Sequence, residues 1–344
     1  MAAHAATHRA GLSGAATAGT TPRSPLDGWW SAHRRIALRL TLIVGLIAVF
    51  VAPPLPAQLV ALAIGVALLG VPHGALDHRL GRDLLAPRLG RAWGVVFGLG
   101  YLALGALVVA LWIAFPAATL AGFLLLSAVH FGLGDVRRDG AGPGMYALEV
   151  LARGALPIAL PIVAHRAEVA RVFDWLIGAQ AATATPRLLD GVGDAALILA
   201  PALIAVAGRH AHRWLRDGAT ASRDVLLELA ALAAILLLAP PLIGFLVYFC
   251  VWHSARHTLE TIAQSMPARL DLGLVRFARA AAPLSLATLA FAGAAWFGLR
   301  AGGTAADPAL VRVVFIGLAA LTLPHMLLCA AHESGTRSEG QPLC

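Results

Sequence analysis

The chain is 344 residues long, and 59% of its residues are hydrophobic while only 13% are charged. A soluble domain has about 45–50% apolar and about 25% charged residues, so the composition excludes an ordinary soluble enzyme and indicates a polytopic membrane protein. The net charge of +8 comes wholly from arginine. Because the arginines lie between the apolar runs and form no single patch, they indicate membrane topology and no nucleic-acid partner.

Apolar runs long enough to span a bilayer recur along the chain and predict an all-α, polytopic membrane bundle of about ten transmembrane helices. The predicted spans are 36–52, 57–78, 93–115, 118–134, 146–164, 190–208, 223–240, 241–262, 276–299 and 309–331. We expect a disordered cytoplasmic leader over 1–33, a membrane-embedded catalytic domain over 34–332 and a cytoplasmic tail over 333–344.

Arginines concentrate at alternate ends of these spans, for example over 79–91, 209–223 and 256–279. Cytoplasmic loops carry the excess of basic residues in membrane proteins, so both termini are predicted to be cytoplasmic in a multi-pass protein of the cell (inner) membrane. The stretch 165–189 has apolar residues at helical spacing and predicts an amphipathic helix at the membrane interface.

Four segments place histidines inside these apolar spans: GVPHGALDH around His73, LSAVHFGLGD around His130, FCVWHSARH around His253 and His257, and TLPHMLL around His325. Ionisable side chains at membrane depth are rare and usually functional. On the predicted topology all four segments lie near the cytoplasmic ends of their helices, so their imidazoles share one depth. We therefore expect them to surround one metal ion.

The spacing within two of the segments separates candidate ligands from solvated histidines. His253 and His257 are four residues apart, which on an α-helix is 400° of rotation, so their rings lie about 40° apart and can chelate one ion. His73 and His78 are about 140° apart on the same argument, so His73 is the candidate ligand and His78 is expected to be solvated. Gly74 and Gly132, beside His73 and His130, permit close helix approach or leave room for a ligand.

Two further residues keep alternative interpretations. Asp77 shares the helix face of His73 and either fixes the tautomer of a histidine or pairs with an arginine. His325 is a fifth metal contact, a hydrogen-bond partner of the ligands or a satisfied core histidine. The other histidines are expected to be solvated in loops or tails: His4, His8, His33, His165, His210, His212 and His332.

Neutral imidazoles suit iron, copper and zinc, but zinc has no redox chemistry, so a reaction with O2 requires iron or copper. No acidic residue lies near the middle of the histidine-bearing spans, which disfavours a carboxylate-bridged di-iron centre. A histidine-box membrane desaturase or hydroxylase is the nearest alternative enzyme, although the chain has a single HxxxH and no adjacent histidine pair. A non-enzymatic transporter with structural histidines is the alternative of another class.

The same four segments resemble the signature sequences of the Brp/Blh family, the membrane-bound bacterial and archaeal β-carotene dioxygenases. GVPHGALDH, HFGLGD, YFCVWHSARH and VVFIGLAALTLPHMLL occur in the family's order across about residues 70–330. The resemblance implies cleavage of the central 15,15′ double bond of β-carotene by O2 into two all-trans-retinal molecules, in a protein that binds Fe(2+).

The resemblance also implies which residues hold the iron. Carried over motif by motif, the catalytic metal ligands are His73, His130, His253 and His257, with His325 less securely a ligand. It further implies β-carotene and O2 as substrates and delivery of the retinal to a rhodopsin. Since β-carotene partitions into the bilayer, an almost wholly membrane-embedded enzyme can receive it laterally. The aromatic residues that flank the ligands either line its channel or pack between helices: Phe131, Tyr248, Phe249 and Trp252.

Overall fold

The computed structural model describes residues 25–137, 139–265 and 270–335, and within these residues it contains helices and no strands. The α-helices are α1 Pro25–Val51, α2 Leu55–Gly65, α3 Val71–Gly74, α4 Asp77–Leu89, α5 Trp93–Ala114, α6 Pro116–Asp135, α7 Pro143–Ala164, α8 Arg166–Ile177, α9 Ala181–Asp217, α10 Thr220–Leu238, α11 Pro241–Leu246, α12 Ala255–Ser265, α13 Leu270–Ala301 and α14 Ala306–Gly335. Two π-helical segments, Val66–Gly70 and Val247–Ser254, join α2 to α3 and α11 to α12.

Each predicted span overlaps a helix or a series of consecutive helices, and the span 57–78 runs from α2 through the first π segment and α3 into the start of α4. Prolines explain several of the starts, because proline fits the first turn of a helix, where its missing N–H is not needed. Pro116, Pro143 and Pro241 are the first residues of α6, α7 and α11. The all-α prediction is confirmed for the residues that the structure describes.

Among the residues that the structure describes, six helical stretches are long and apolar enough to cross a membrane: Leu55–Ala114, Pro116–Asp135, Pro143–Ala164, Arg166–Asp217, Leu272–Ala301 and Ala306–Ala331. The bundle exposes large apolar side chains around its outside, and Phe50, Ile113 and Leu197 are 82%, 80% and 75% exposed. Such a surface requires lipid contact, since exposed apolar patches of this extent are not stable in water. The chain is therefore a membrane protein, whereas the count of ten spans and the side of each terminus stay predictions.

The predicted leader extends too far. Residues 1–24 lie outside the described residues, but residues 25–33 form the beginning of α1. Trp29 packs against a small buried cluster that includes Leu76 and Ile262, and Arg137 lies 4.4 Å over the ring of Trp30. These tertiary contacts stabilise turns whose composition by itself suggested disorder, because packing overrides weak local propensity.

The predicted amphipathic helix over 165–189 forms as α8, followed by the first turns of α9. Its five apolar residues at helical spacing are all buried in the main core: Val169, Val172, Phe173, Leu176 and Ile177. Trp112 of α5 donates its indole N–H to the carbonyl of Leu176 at 3.1 Å. The helix therefore packs against the bundle with its apolar face.

Helices α6 and α7 cross where each has a glycine. A Cβ atom on Gly132 would lie 2.0 Å from the carbonyl oxygen of Val150, and one on Gly154 would lie 1.9 Å from that of Ala128. The prediction of close helix approach is thus confirmed at Gly132, two residues after His130. Gly74 has open space around its Cβ position, so the glycine beside His73 leaves room instead.

Candidate metal centre

Five histidines from four parts of the chain meet in one cluster. The ring centroid of His73 lies 6.0 Å from that of His253, 5.6 Å from that of His257 and 5.8 Å from that of His325. His130 lies 4.8 Å from His253 and 5.4 Å from His325, and the rings of His257 and His325 are 5.7 Å apart. The structure thus brings the four predicted ligands together and places His325 against His73, His130 and His257.

Three of the five histidines are buried, His73 and His257 are partly exposed, and ring nitrogens of the cluster face each other. His130, His253 and His325 are only 6%, 2% and 4% exposed, and the Nε2 atoms of His130 and His253 are 3.1 Å apart. His73, His130 and His325 each offer a nitrogen within 4.8 Å of the other two. Such nitrogens need a shared proton or a shared cation, because buried polar atoms are costly without a partner. An all-imidazole set of this kind suits a transition metal.

The second nitrogen of two of these rings is held by the protein. His73 Nδ1 is in hydrogen-bonding contact with the carbonyl of Gly70, the last residue of the first π segment. His325 Nδ1 donates to the carboxylate of Asp77, 2.8 Å from one oxygen and 3.0 Å from the other. A ligand histidine ordinarily donates its other N–H in this way, which orients the ring and leaves Nε2 for the metal.

The two π segments explain how the chain places His73 and the HxxxH pair. Val66–Gly70 ends three residues before His73, and Val247–Ser254 contains His253. The segments pack on each other, since a Cβ on Gly70 would lie 2.6 Å from the Phe249 ring. Because His253 lies in a π turn and His257 in the following α-helix, the regular 40° offset predicted from the spacing does not describe this pair. Both rings nevertheless contact His73.

Asp77 lies against His325 and is buried. Its second oxygen accepts a 2.9 Å hydrogen bond from the hydroxyl of Tyr101 on α5. Of the two alternatives for Asp77, the structure therefore shows the hydrogen bond to a histidine and not the pairing with an arginine. The histidine is His325, however, and not the sequence neighbour His73. The ring of His78 bonds the carbonyl of Ala75 and is partly buried.

A second carboxylate, Asp135 at the end of α6, lies on the other side of the cluster. It accepts hydrogen bonds from Tyr248 at 2.8 Å and Arg256 at 2.9 Å, and His253 Nδ1 is 3.8 Å away. Arg256 also binds Glu228 of α10 at 2.7 Å. Arg256, which immediately precedes His257, thus connects its own helix α12 to α6 and α10.

Alternating charges continue from Glu228 through the bundle. Arg153 binds Glu228 at 3.0 Å and Glu149 at 3.3 Å, and Arg209 binds Glu149 at 3.0 Å and also Asp139. The sequence analysis missed this network, although Glu149, Arg153 and Glu228 lie inside predicted spans. Ionisable residues at membrane depth should have marked them in the same way as the histidines.

The prediction that His210 is solvated is wrong. His210 is buried, with Nε2 3.1 Å from Glu149 and Nδ1 3.2 Å from Ser222. Helix α9 extends past the predicted end of its span at 208, so a position expected in a loop faces α7 and α10. His33 is also partly buried, and its Nε2 lies 3.0 Å from the carbonyl oxygen of Val251. His212 is exposed, as predicted.

Aromatic rings enclose the cluster on the side of the second π segment. Phe131, Tyr248, Phe249 and Trp252 are all buried. Phe131 contacts His253 edge to face with centroids 5.0 Å apart, and Phe249 contacts His73 at 5.8 Å. These rings exclude water from the histidines whichever of their two predicted roles they serve.

The sequence model of the beta-carotene 15,15′-dioxygenase family matches residues 64–332, most of the chain. The chain belongs to this family. The beta-carotene 15,15′-dioxygenase of the uncultured marine bacterium 66A03 is 32% identical over 272 residues, which cover 76% of this chain and 90% of that protein. The probable beta-carotene 15,15′-dioxygenase Blh of Halobacterium salinarum is 31% identical over 296 residues, covering 78% of this chain and 82% of the relative. No solved structure matches the chain.

The stretch matched by the dioxygenase family contains every histidine of the cluster together with Asp77 and Asp135. Helix α1 and all but the last two residues of α2 lie before it. The family therefore accounts for the histidine-bearing helices, while the contacts of α1 belong to a part of this dioxygenase that the family model does not describe.

Proposed function

We propose that this chain cleaves the central 15,15′ double bond of β-carotene with O2 and releases two molecules of all-trans-retinal. The observation that carries the proposal is the meeting of His73, His130, His253 and His257 in one cluster within a chain of the dioxygenase family. An apolar, membrane-embedded site suits a substrate that partitions into the bilayer core.

The metal in this proposal is Fe(2+), and its ligands are the same four histidines. The fit rests on the donor set, because neutral imidazoles suit a redox-active transition metal and the cluster nitrogens face each other. When bound, Fe(2+) supplies the activation of O2. The protein holds the rings in place: Gly70 orients His73 through Nδ1, and the buried aromatic rings keep water away.

We assign His325 as a further donor to the same ion. Its Nδ1–H is held by Asp77, so Nε2, which lies 3.8 Å from Cys329 Sγ, is the nitrogen that can bind the metal. Its ring lies within 6 Å of those of His73, His130 and His257. A satisfied core histidine would need no other imidazoles around it.

The polyene would enter from the membrane and lie along the aromatic rings beside the cluster. Phe249 contacts His73 and stacks on Phe245 with centroids 5.4 Å apart, and Phe245 contacts Phe315 of α14 at 5.6 Å. A row of rings that ends at the histidines provides an apolar surface for a conjugated chain. Gly74, the residue after His73, has open space at its Cβ position.

The arginine distribution supports the orientation in the membrane, and the resemblance to the family supports the fate of the product. We place the protein in the cell (inner) membrane with both termini in the cytoplasm, and we propose that its retinal is delivered to a rhodopsin. On this orientation the histidines lie near the cytoplasmic ends of their helices.

Expression in a β-carotene-producing bacterium tests the function directly. The parent chain should bleach the cells and form retinal, measured by chromatography. Each of His73→Ala, His130→Ala, His253→Ala and His257→Ala should abolish retinal formation while the protein still inserts in the membrane, and the exposed His212→Ala should act as the parent does. Near-normal turnover in two or more of the four variants would contradict the ligand assignment. Intact β-carotene with the inserted parent chain would contradict the function itself.

A further inference from the structure

The second π segment carries His253, so the position of this histidine depends on whether the segment keeps its π geometry. A π turn adds one residue to the helical repeat, and each residue of an α-helix is a rotation of 100°. If Val247–Ser254 relaxed to a regular α-helix, His253 and His257 would turn by about 100° relative to α11. Helix α11 cannot follow, because Leu242 and Ile243 are buried and Gly244 packs against Ile235 and Leu236 of α10.

π-Helical geometry is rare, and a π turn inside an α-helix persists where side-chain contacts around it favour it over the regular α-helix. Two such contacts come from α1. His33 Nε2 donates to the carbonyl of Val251 at 3.0 Å, and the indole N–H of Trp252 donates to the hydroxyl of Thr41 at 2.9 Å. Val251 and Trp252 are the two residues immediately before His253.

The hydrogen bond between Trp252 and Thr41 is buried, and the Thr41 hydroxyl has a partner both as acceptor and as donor. Trp252 is 0% and Thr41 4% exposed, and the Thr41 hydroxyl in turn donates to the carbonyl of Ala37 at 2.7 Å. The ring of His33 also lies edge to face on Trp252, with centroids 6.2 Å apart. A buried hydrogen bond that loses one partner leaves the other unsatisfied, so replacing Thr41 should weaken the turn and not only the packing.

Helix α1 is itself anchored away from the histidines. Arg34, the residue after His33, forms an ion pair with Asp224 near the start of α10. The contacts from α1 to the π segment therefore begin on an element tied to the bundle, which allows α1 to fix the turn and not merely follow it.

We propose that α1 is a positioning element of the metal centre, in which His33 and Thr41 hold the π turn that points His253 and His257 into the cluster. The inference rests on the proposed function in one respect, that these two histidines bind the metal. It assigns a role to a helix that lies before the stretch matched by the family. His33 and Thr41 act through the turn, and in the part of the chain that the structure describes no contact joins either of them to a histidine of the cluster.

Titration of the metal-free, detergent-solubilised protein with Co²⁺ tests the proposal through the visible spectrum of the bound ion. The variants are Thr41→Val, Trp252→Phe and His33→Leu, with the double variants Thr41→Val/Trp252→Phe and His33→Leu/Thr41→Val. We expect His33→Leu/Thr41→Val to weaken Co²⁺ binding about tenfold, as the loss of two hydrogen bonds implies. Thr41→Val and Trp252→Phe should not be additive, because they remove the same hydrogen bond.

Conservative variants separate positioning from simple packing. Thr41→Ser keeps the hydroxyl and His33→Gln keeps a donor at similar reach, so both should bind Co²⁺ as the parent does. Thr119→Val is the matched control, because Thr119 also bonds the carbonyl four residues earlier but is exposed on α6. If a variant fails to fold, hydrogen exchange of the backbone over 247–257 in the folded Thr41→Val and Thr41→Ser proteins decides instead, with faster exchange expected only for valine.

The outcomes distinguish this inference from the proposed function. If the parent binds one Co²⁺ but His33→Leu/Thr41→Val binds it equally well, α1 has no positioning role and the metal site stands. If Thr41→Ser and His33→Gln weaken binding as much as the apolar variants do, α1 contributes packing alone and the proposal is wrong. If the parent binds no Co²⁺, the metal site fails and the proposal fails with it.

Discussion

The two sides of the histidine cluster have the same components in different electrostatic settings. On one side Tyr101 donates to Asp77, which holds His325 at 2.8 Å. On the other side Tyr248 donates to Asp135, which lies 3.8 Å from His253. Each side is therefore a tyrosine, an aspartate and a histidine of the cluster.

The difference lies in the cation. Asp135 is paired with Arg256, which begins a chain of alternating charges through Glu228 and Arg153. Among the residues that the structure describes, no arginine pairs with Asp77. The negative charge of Asp135 is thus balanced within the protein, whereas that of Asp77 is available to a metal bound by the histidines. We infer that the Asp135 side chiefly holds the bundle together and that the Asp77 side chiefly stabilises the bound cation.

Removing the cation from the Asp135 side should have the largest effect on stability. Arg256→Met leaves Asp135 without an arginine partner and leaves Glu228 with only one of its two arginine partners, Arg153. Removing one partner of a buried ion pair costs about 3–5 kcal/mol of stability. Thermal unfolding in detergent should show a large fall in Tm. Arg223→Met, which removes an exposed arginine beside Asp224, should change Tm little. A similar Tm for both variants would show that the network does not hold the bundle.

Removing the charge from the Asp77 side should instead affect the metal. Asp77→Asn keeps the shape of the side chain and loses the charge that supports His325, and changes to such outer partners of metal ligands cost about 10- to 100-fold in metal affinity. Metal content and affinity of the purified protein are the measurement. The matched control is Asp83→Asn, an exposed position on the same helix. Unchanged metal affinity in Asp77→Asn would remove the distinction between the two sides.

The tyrosines provide a finer comparison, because each change deletes one hydroxyl. Tyr101→Phe removes one of the hydrogen bonds to Asp77, so metal affinity should fall, but by less than about tenfold. Tyr248→Phe leaves Asp135 bound to Arg256, so it should lower Tm and leave metal affinity nearly unchanged. The opposite assignment of the two effects would reverse our interpretation.

Sequence patterns predicted the helices well because apolar length and proline positions control them directly. They also predicted that His73, His130, His253 and His257 would come together, since apolar helices expose few other polar groups. They did not predict the π segments, because no local propensity distinguishes Val247–Ser254 from an α-helix. They also missed Tyr101 and His210, whose partners Asp77 and Glu149 come from other helices and depend on how α5 and α9 pack.

The smallest expected effect is that of changing Asp139, in the loop between α6 and α7. Asp139 lies at the outer end of the series of alternating charges that runs from Asp135 through Arg256, Glu228, Arg153, Glu149 and Arg209. Partial burial would raise the pKa of Asp139, but Arg209 and Arg213 hold that pKa below its usual range. A carboxylate with a lowered pKa stabilises the fold above its unfolded pKa, and this stability is lost as the pH falls through the folded value. Asp139→Asn should therefore lower stability by no more than about 1 kcal/mol at pH 7, and its Tm should approach that of the parent as the solution is acidified below pH ~4. A difference in Tm that stays constant from neutral to acid pH would show that Asp139 acts through packing or hydrogen bonding and not through its charge, so that the alternating charges end at Arg209.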